Sequence, residues 1–371
     1  MRLWKRLAGV LFGVLLALPA TAGETMTVTD LSGQSVTLQV PLKRIVLMSS
    51  RSVHEFAAVL GDDFLKPVVG WAYDLEMMDR DSYDHFASRY PAIADVPDVG
   101  YTYKNTFSVE KVIALTPDAV FMPLWMSKST EEDRAKLKAA GIPVVVLDFW
   151  KEPLDNPPAS LRLMGRLFGK EARAEEIASV FEESVARVET RLAGIKTAPP
   201  SVYIETGFKG PQEYSTTYGD NGWGAVVKRS GGLNIAEGVI ERTGQINPEY
   251  LLSRDPDHII IPGSYWPKTP GAMRIGYFAE KDDSVSLLKG FEKRSGWESL
   301  KAVKQGKVHS IYHGFCFHLY NFVAMEAFAK WFYPEAFADL DPEADLRSFH
   351  ERFMPVPYRG VWILDSTRAQ P

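Results

Sequence analysis

The segment Glu171–Leu192, EARAEEIASVFEESVARVETRL, decides how the rest of the chain is read. Apolar residues fall at Ile177, Val180, Phe181, Val185, Val188 and Leu192, the three- and four-residue spacing of one helical face. Alanine and glutamate, both strong helix formers, are abundant between them. At about 1.5 Å per residue the helix would span roughly 33 Å, the width of a small domain. Near mid-chain, a helix of that length lies in one core or bridges two.

The flanks favour a bridge. Upstream runs Ser108-Val-Glu110-Lys-Val-Ile-Ala-Leu-Thr-Pro117-Asp118-Ala-Val-Phe-Met-Pro123, and downstream Asn247-Pro-Glu249-Tyr-Leu-Leu-Ser-Arg-Asp-Pro256-Asp257-His-Ile-Ile-Ile-Pro262. Each carries a glutamate seven residues before Pro-Asp, then a strand-like apolar run, then proline. Each reads as a short helix, a turn and a buried parallel strand. The same phrase on both sides predicts two similar α/β lobes joined by one helix.

Further strands are expected at Ile45–Met48, Pro67–Gly70, Val144–Leu147 and Ser201–Glu205, with a last one ending at Ile311. Helices are expected at His54–Leu60, closed by Gly61, and at Phe322–Phe332, ended by Pro334. Strands alternating with helices predict parallel sheets. Met26–Val40 reads as a hairpin around Ser32-Gly33-Gln34. Trp71–Pro97 shows no clear period, and Gly222–Gly238 reads as loop. The expected divisions are 23–157 for the first lobe, 158–195 for the connecting helical segment and 196–371 for the second lobe.

With 371 residues, 46% hydrophobic and 12% aromatic, the chain can build more than one core. Residues 1–22 read as a cleavable signal peptide: Arg2, Lys5 and Arg6, an apolar run from Leu7 to Leu18, and a cut after Ala20-Thr21-Ala22. Removing those three positive charges takes the formal charge from −5 to −8, which argues against nucleic acid as a partner. Cys316 is the lone cysteine, so no internal disulfide forms. These features predict export to the periplasm as a soluble monomer.

The phrases Arg44-Ile-Val, Asp98-Val-Gly100, Ser108 through Asp118, Leu137 through Gly141-Ile-Pro-Val-Val, the long helix, Ser230-Gly-Gly-Leu-Asn234, Glu249 through Asp257 and Trp297 through Val308 run in order along nearly the whole mature chain. In that order the chain resembles the class III periplasmic substrate-binding proteins of ABC importers, which handle iron–siderophore complexes, haem and cobalamin. The resemblance implies two Rossmann-like lobes with parallel sheets, joined by a single long α-helix, and a ligand in the cleft between them. It also implies that Glu110 and Glu249 dock the two lobes onto an inner-membrane permease dimer. A single helical bridge makes lobe closure small.

Ligands of open α/β sheets gather at the carboxyl ends of strands. Those positions offer Arg51, Trp71, Trp125 and Trp150 in the first lobe, with Tyr101 and Tyr103 before the Glu110 helix. The second lobe offers Tyr214, Tyr218, Tyr265, Trp266, His313, His318 and Tyr320. Aromatic rings give a bulky ligand rigid contact area, and Arg51 gives fixed charge for an anion. A ferric siderophore fits that set best. Haem is the second reading, because Asp98-Val-Gly100-Tyr101 resembles the stretch bearing the iron-ligating tyrosine of haem binders, although nine positions here separate Tyr101 from Glu110, more than in those proteins. Cobalamin or another metal chelate of the same importer class stays open.

His313, Cys316 and His318 read H-x2-C-x-H, a spacing that fits no zinc motif, so no metal ligand and no resident cofactor is assigned. The chain has no G-x-S-x-G, H-E-x-x-H or Walker A sequence, which leaves an exported α/β enzyme as the weaker class of function.

Overall fold

In the first half of the chain Ile45–Leu47 runs parallel between Val68–Trp71 and Ala119–Pro123, with Val144–Leu147 beyond the latter. The second half repeats that order. Ser201–Ile204 runs parallel between Leu233–Asn234 and His258–Gly263, with Val308–Tyr312 beyond. The structure, a computed structural model, describes residues 23–365; the basic, apolar start read as a signal peptide lies outside the described residues.

The duplicated Pro-Asp phrase has a duplicated task. Asp118 Oδ2 accepts from the backbone N–H of Lys43 and Arg44, each at 2.8 Å, just before the first strand. Asp257 Oδ2 accepts from the N–H of Ser201 at 2.8 Å, at the start of the second lobe's first strand. In both lobes the aspartate ties the turn to the neighbouring strand and satisfies donors that the sheet leaves open.

Glu171–Leu192 is one helix, as its periodicity predicts. Ile177, Phe181, Val185 and Val188 are buried, while Val180 and Leu192 pack against the core half-buried. Residues Asn156–Phe168 form a second helix that ends at Gly169 in the left-handed conformation (φ 64°), so the two helices make a hairpin. Arg173 touches both lobes: its Nε donates to Ala58 O at 2.6 Å and its Nη2 to Phe353 O at 2.8 Å. A Cβ on Gly165 would stand 2.5 Å from Ala174 Cβ. Gly165→Val therefore forces the hairpin apart, at a cost of about 1–3 kcal/mol for overpacking. A thermal midpoint lowered by several degrees is expected, and an unchanged melt would show that the close approach is not needed.

Three expectations need correction. Trp71–Pro97, read without period, forms helices at Asp74–Met78 and Arg80–Arg89. Their inner faces bury Asp74, Asp81 and His85 rather than an apolar stripe, so periodicity cannot show them. Within the glycine-rich stretch, Trp223–Arg229 is helical. Val308–Tyr312 is not the last strand, since Ile363–Asp365 adds antiparallel to its edge. Beyond these, the helix Pro342–Phe353 buries Leu346, Phe349 and Phe353, one more face set by helical spacing.

Polar contacts seal the lobes along one seam. Asp81 accepts from Arg274 Nη2 at 3.0 Å and from the N–H of Phe278 at 3.0 Å. His85 pairs with Pro357 O at 2.9 Å and stacks on Tyr277 at 4.1 Å between ring centroids. Asp79 accepts from Ser264 Oγ at 3.2 Å and from the Tyr312 hydroxyl.

Candidate functional site

The 3-10 turn Ser50–Ser52 follows the first strand and places Arg51 at the mouth between the lobes. Asp74 anchors that turn. Its carboxylate is fully buried and accepts from Ser49 Oγ at 2.6 Å, from Ser50 N at 2.7 Å and from Arg51 Nε at 3.2 Å. The Arg51 guanidinium also lies over the Phe317 ring, 4.7 Å from its centroid, so one lobe's cation rests on the other lobe's aromatic.

Arg51, Tyr101, Tyr103, Trp125, Trp150 and His313 come together around one cleft of about 620 Å³. Phe317, Tyr218, Met77 and Met78 complete its apolar wall. Trp150 stacks on Phe317 with ring planes 9° apart, and Tyr103 leans on Trp125 at 5.3 Å. Tyr103 is 65% exposed, a large ring offered to whatever enters. Three cations face this space: Arg51, Lys104 and Arg242. No carboxylate lines it among the described residues.

Two titratable groups of the cleft are held neutral. Burial, and after it the Arg51 charge, pushes the His313 imidazole down to about 3, so it stays neutral. Trp223 Nε1 donates to His313 Nδ1 at 3.3 Å, which leaves Nε2 to carry the ring's proton as a donor. Burial raises the Tyr101 phenol above its usual range, against the pull of Arg51, so it too enters as a protonated donor.

Other expected residues lie elsewhere. Trp71 is a core residue of the first sheet, 5% exposed, whose strand position turns it inward. Tyr214 is drawn off to Arg294, which stands 4.4 Å over its ring. Tyr265 lies under Arg274 at 3.7 Å. Trp266 packs 5.7 Å from His313 and lines the neighbouring opening with Phe208. His318 reaches only a narrow recess beside Arg51. Tyr320 is fully buried against His54 and His350. Strand-end counting places a residue near the cleft edge but cannot tell which way the following loop turns. The same counting misses Lys104, Arg242, Met77 and Met78, which sit on irregular or unrecognised segments, and no local pattern marks them.

Glu110 and Glu249 each stand exposed in the first turn of a short helix, Val109–Ala114 and Pro248–Arg254. Ser108 caps the first helix by accepting from Lys111 N at 3.2 Å, and Asn247 caps the second by accepting from Glu249 N at 2.7 Å. Each helix feeds the strand after it, so both first turns lie at the carboxyl edge of the sheets, the edge that bears the cleft.

Residues 52–312 match the family model of the periplasmic binding proteins. The crystal structure of a TroA-like periplasmic binding protein, FepB, from Veillonella parvula is similar, with 38% identity, a TM-score of 0.87, and coverage of 91% of this chain and 99% of that one. An ABC transporter substrate-binding lipoprotein of Bacillus subtilis, YvrC, is 26% identical over 290 residues, covering 77% of this chain and 78% of its own. The iron-uptake system-binding protein of the same organism is 25% identical over 218 residues, covering 54% and 57%. With two parallel-sheet lobes, a helical bridge and a cleft between them, the chain belongs to the periplasmic binding protein family, the substrate-binding components of ABC importers.

Proposed function

We propose that this protein is a periplasmic receptor that binds an anionic ferric siderophore in the inter-lobe cleft and hands it to an inner-membrane ABC permease. The cleft carries the reading: three cations and no carboxylate among the described residues, within an aromatic wall enclosing about 620 Å³. That volume lies in the range of ordinary small-molecule sites, roughly 300–1,000 Å³. The relative named for iron uptake supports the metal, and the charge of the cleft supports a chelate with exposed anionic oxygens. In this reading residues 1–22 direct export, the receptor acts as a monomer, and Glu110 and Glu249 meet the permease. Haem is a second reading, which rests on Tyr101 lining the cleft.

Tryptophan fluorescence tests the proposal, because Trp125 and Trp150 both line the cleft. A panel of ferric catecholates, ferric hydroxamates, haem and cobalamin is titrated in turn. Quenching by a ferric siderophore at micromolar concentration or below is expected; a Soret band with haem alone would move the assignment to haem. Quenching by none of the panel would end the chelate reading.

Charge can be separated from shape. Lys104 and Arg242 are exposed, so Lys104→Gln with Arg242→Gln leaves the fold intact. Losing two cations at the rim should weaken an anionic chelate roughly tenfold, about 1.4 kcal/mol, and flatten its salt dependence. Unchanged affinity at low salt would mean that the ligand is neutral.

A further inference from the structure

Behind the cleft, on the lobe seam, two histidines and an aspartate converge. His54 lies in the first turn of the first lobe's Val53–Leu60 helix, Asp79 follows Asp74–Met78, and His318 comes from the second lobe. One ligating atom from each lies within 4.8 Å of the others, and all three residues are buried. His54 Nε2 is 3.9 Å from Asp79 Oδ2, too far for a hydrogen bond, and has no other partner although the side chain is fully enclosed. Leaving such a nitrogen unsatisfied costs about 1–3 kcal/mol.

The groups around the trio are arranged as metal ligands need them. His54 Nδ1 is 3.3 Å from the Tyr320 hydroxyl, and His318 Nδ1 is 3.2 Å from Glu55 Oε1. With Nδ1 protonated and donating to those oxygens, Nε2 of each ring carries the lone pair. Histidines that bind metals are held in the same manner, by an oxygen acceptor such as a carboxylate on the far nitrogen. Asp79 is oriented by Ser264 and Tyr312. A recess of about 30 Å³ beside His318 and Arg51 has room for one water, although neither His54 nor Asp79 lines it.

We propose that His54, Asp79 and His318 hold a divalent transition-metal ion of the zinc type, which clips the two lobes together behind the ligand cleft. Two imidazoles and a carboxylate suit zinc and its neighbours, at about 2.0–2.2 Å per bond. A tetrahedral site of that size spaces its ligand atoms roughly 3.4 Å apart. The trio therefore closes on an ion through side-chain shifts of about 1 Å. The inference is independent of what the cleft binds, since bare metal serves as the probe.

The experiment uses the full mature protein, freed of metal by dialysis against a chelator. Zinc is titrated by calorimetry and cobalt by visible absorption. One zinc per chain is expected, with micromolar affinity or better, together with ligand-field bands of low-coordinate cobalt and a higher melting temperature in zinc. His54→Gln and Asp79→Asn should each weaken zinc at least roughly 100-fold, and Tyr320→Phe, which removes only the oxygen behind His54, about tenfold. The Lys104→Gln, Arg242→Gln variant should bind zinc like the parent. If the first two variants fail to fold, the parent's cobalt spectrum and Tyr320→Phe decide. No stoichiometric binding by the parent at 100-fold excess of metal, or zinc affinity unmoved by every folded variant, overturns the site.

Discussion

If Glu110 and Glu249 dock the receptor as proposed, changing both to alanine is expected to lower cellular uptake of the ligand at least about tenfold while the affinity of the purified receptor stays within about twofold. Both carboxylates are exposed, and neither lines the cleft. They stand at matching points of two lobes that repeat one strand order, so in the proposed docking they would offer two equivalent charges to a two-fold permease. Ser108 Oγ donates to Glu110 Oε2 at 3.1 Å, and contacts within its own first turn hold the Glu110 carboxyl below its usual range, keeping it ionised. Exposed rim charges act mainly on the encounter between partners and its salt dependence, so the loss should appear in uptake and not in the receptor's own stability or affinity. Transport assays at matched expression, beside a binding titration, separate the two. Normal uptake by the double variant would leave these glutamates with only the helix-end role.

Arg294→Ala destabilises the second lobe by about 3–5 kcal/mol, the cost of stripping a buried carboxylate of its counter-charge. Glu205 is fully buried and takes contacts from Arg294 Nη1 at 3.1 and 3.2 Å and from Nη2 at 3.1 Å. The same guanidinium donates to the carbonyls of Gly210, Pro211 and Glu213 and so closes the loop after the first strand. Burial already raises the Glu205 pKa, with Arg294 opposing the rise. Without Arg294 it rises further above the unfolded value. A carboxyl raised on folding contributes stability that is lost as pH climbs through the folded pKa, so the deficit is larger near pH 8 than near pH 5. Denaturant titrations at both values check this. A loss under about 1 kcal/mol would mean that water reaches Glu205 and replaces the arginine. Replacing both Arg294 and Glu205 with apolar residues should recover part of the loss.

Tyr214 shows why the cleft was only half legible. At the end of the first strand of its lobe it reads as a ligand contact, yet Arg294 and Trp297 claim its ring and hydroxyl. Nothing near Tyr214 in sequence reveals a partner eighty-odd positions away. Elements whose stability is local were readable: the Glu171–Leu192 face, the capped Glu110 and Glu249 turns, and the apolar strands between prolines. Elements that bury charge against the other lobe were not. Asp74–Met78 and Arg80–Arg89 show no regular apolar stripe because, beside Leu75 and Phe86, their inward residues include Asp74, held by Arg51 of the same lobe, and Asp81 and Ser82, answered by Arg274 and Tyr312 of the other. The His54, Asp79 and His318 cluster is invisible to any spacing rule for the same reason: its members come from distant parts of both lobes.

The seam between the lobes bears on how the chain becomes a protein at all. Asp79, Asp81 and His85 belong to the first half, and Tyr312, Arg274 and Tyr277 to the second. Synthesised first, the amino-terminal half holds two carboxylates and an imidazole at positions where their partners have not yet been translated. Until those partners arrive the groups remain hydrated, and of the inward residues of the helices only Leu75 and Phe86 offer apolar surface. Arg173 waits likewise for the carbonyl of Phe353. The two lobes repeat one strand order, yet the contacts that join them are completed only by the last fifth of the chain, so the lobes are expected to fold as one cooperative unit.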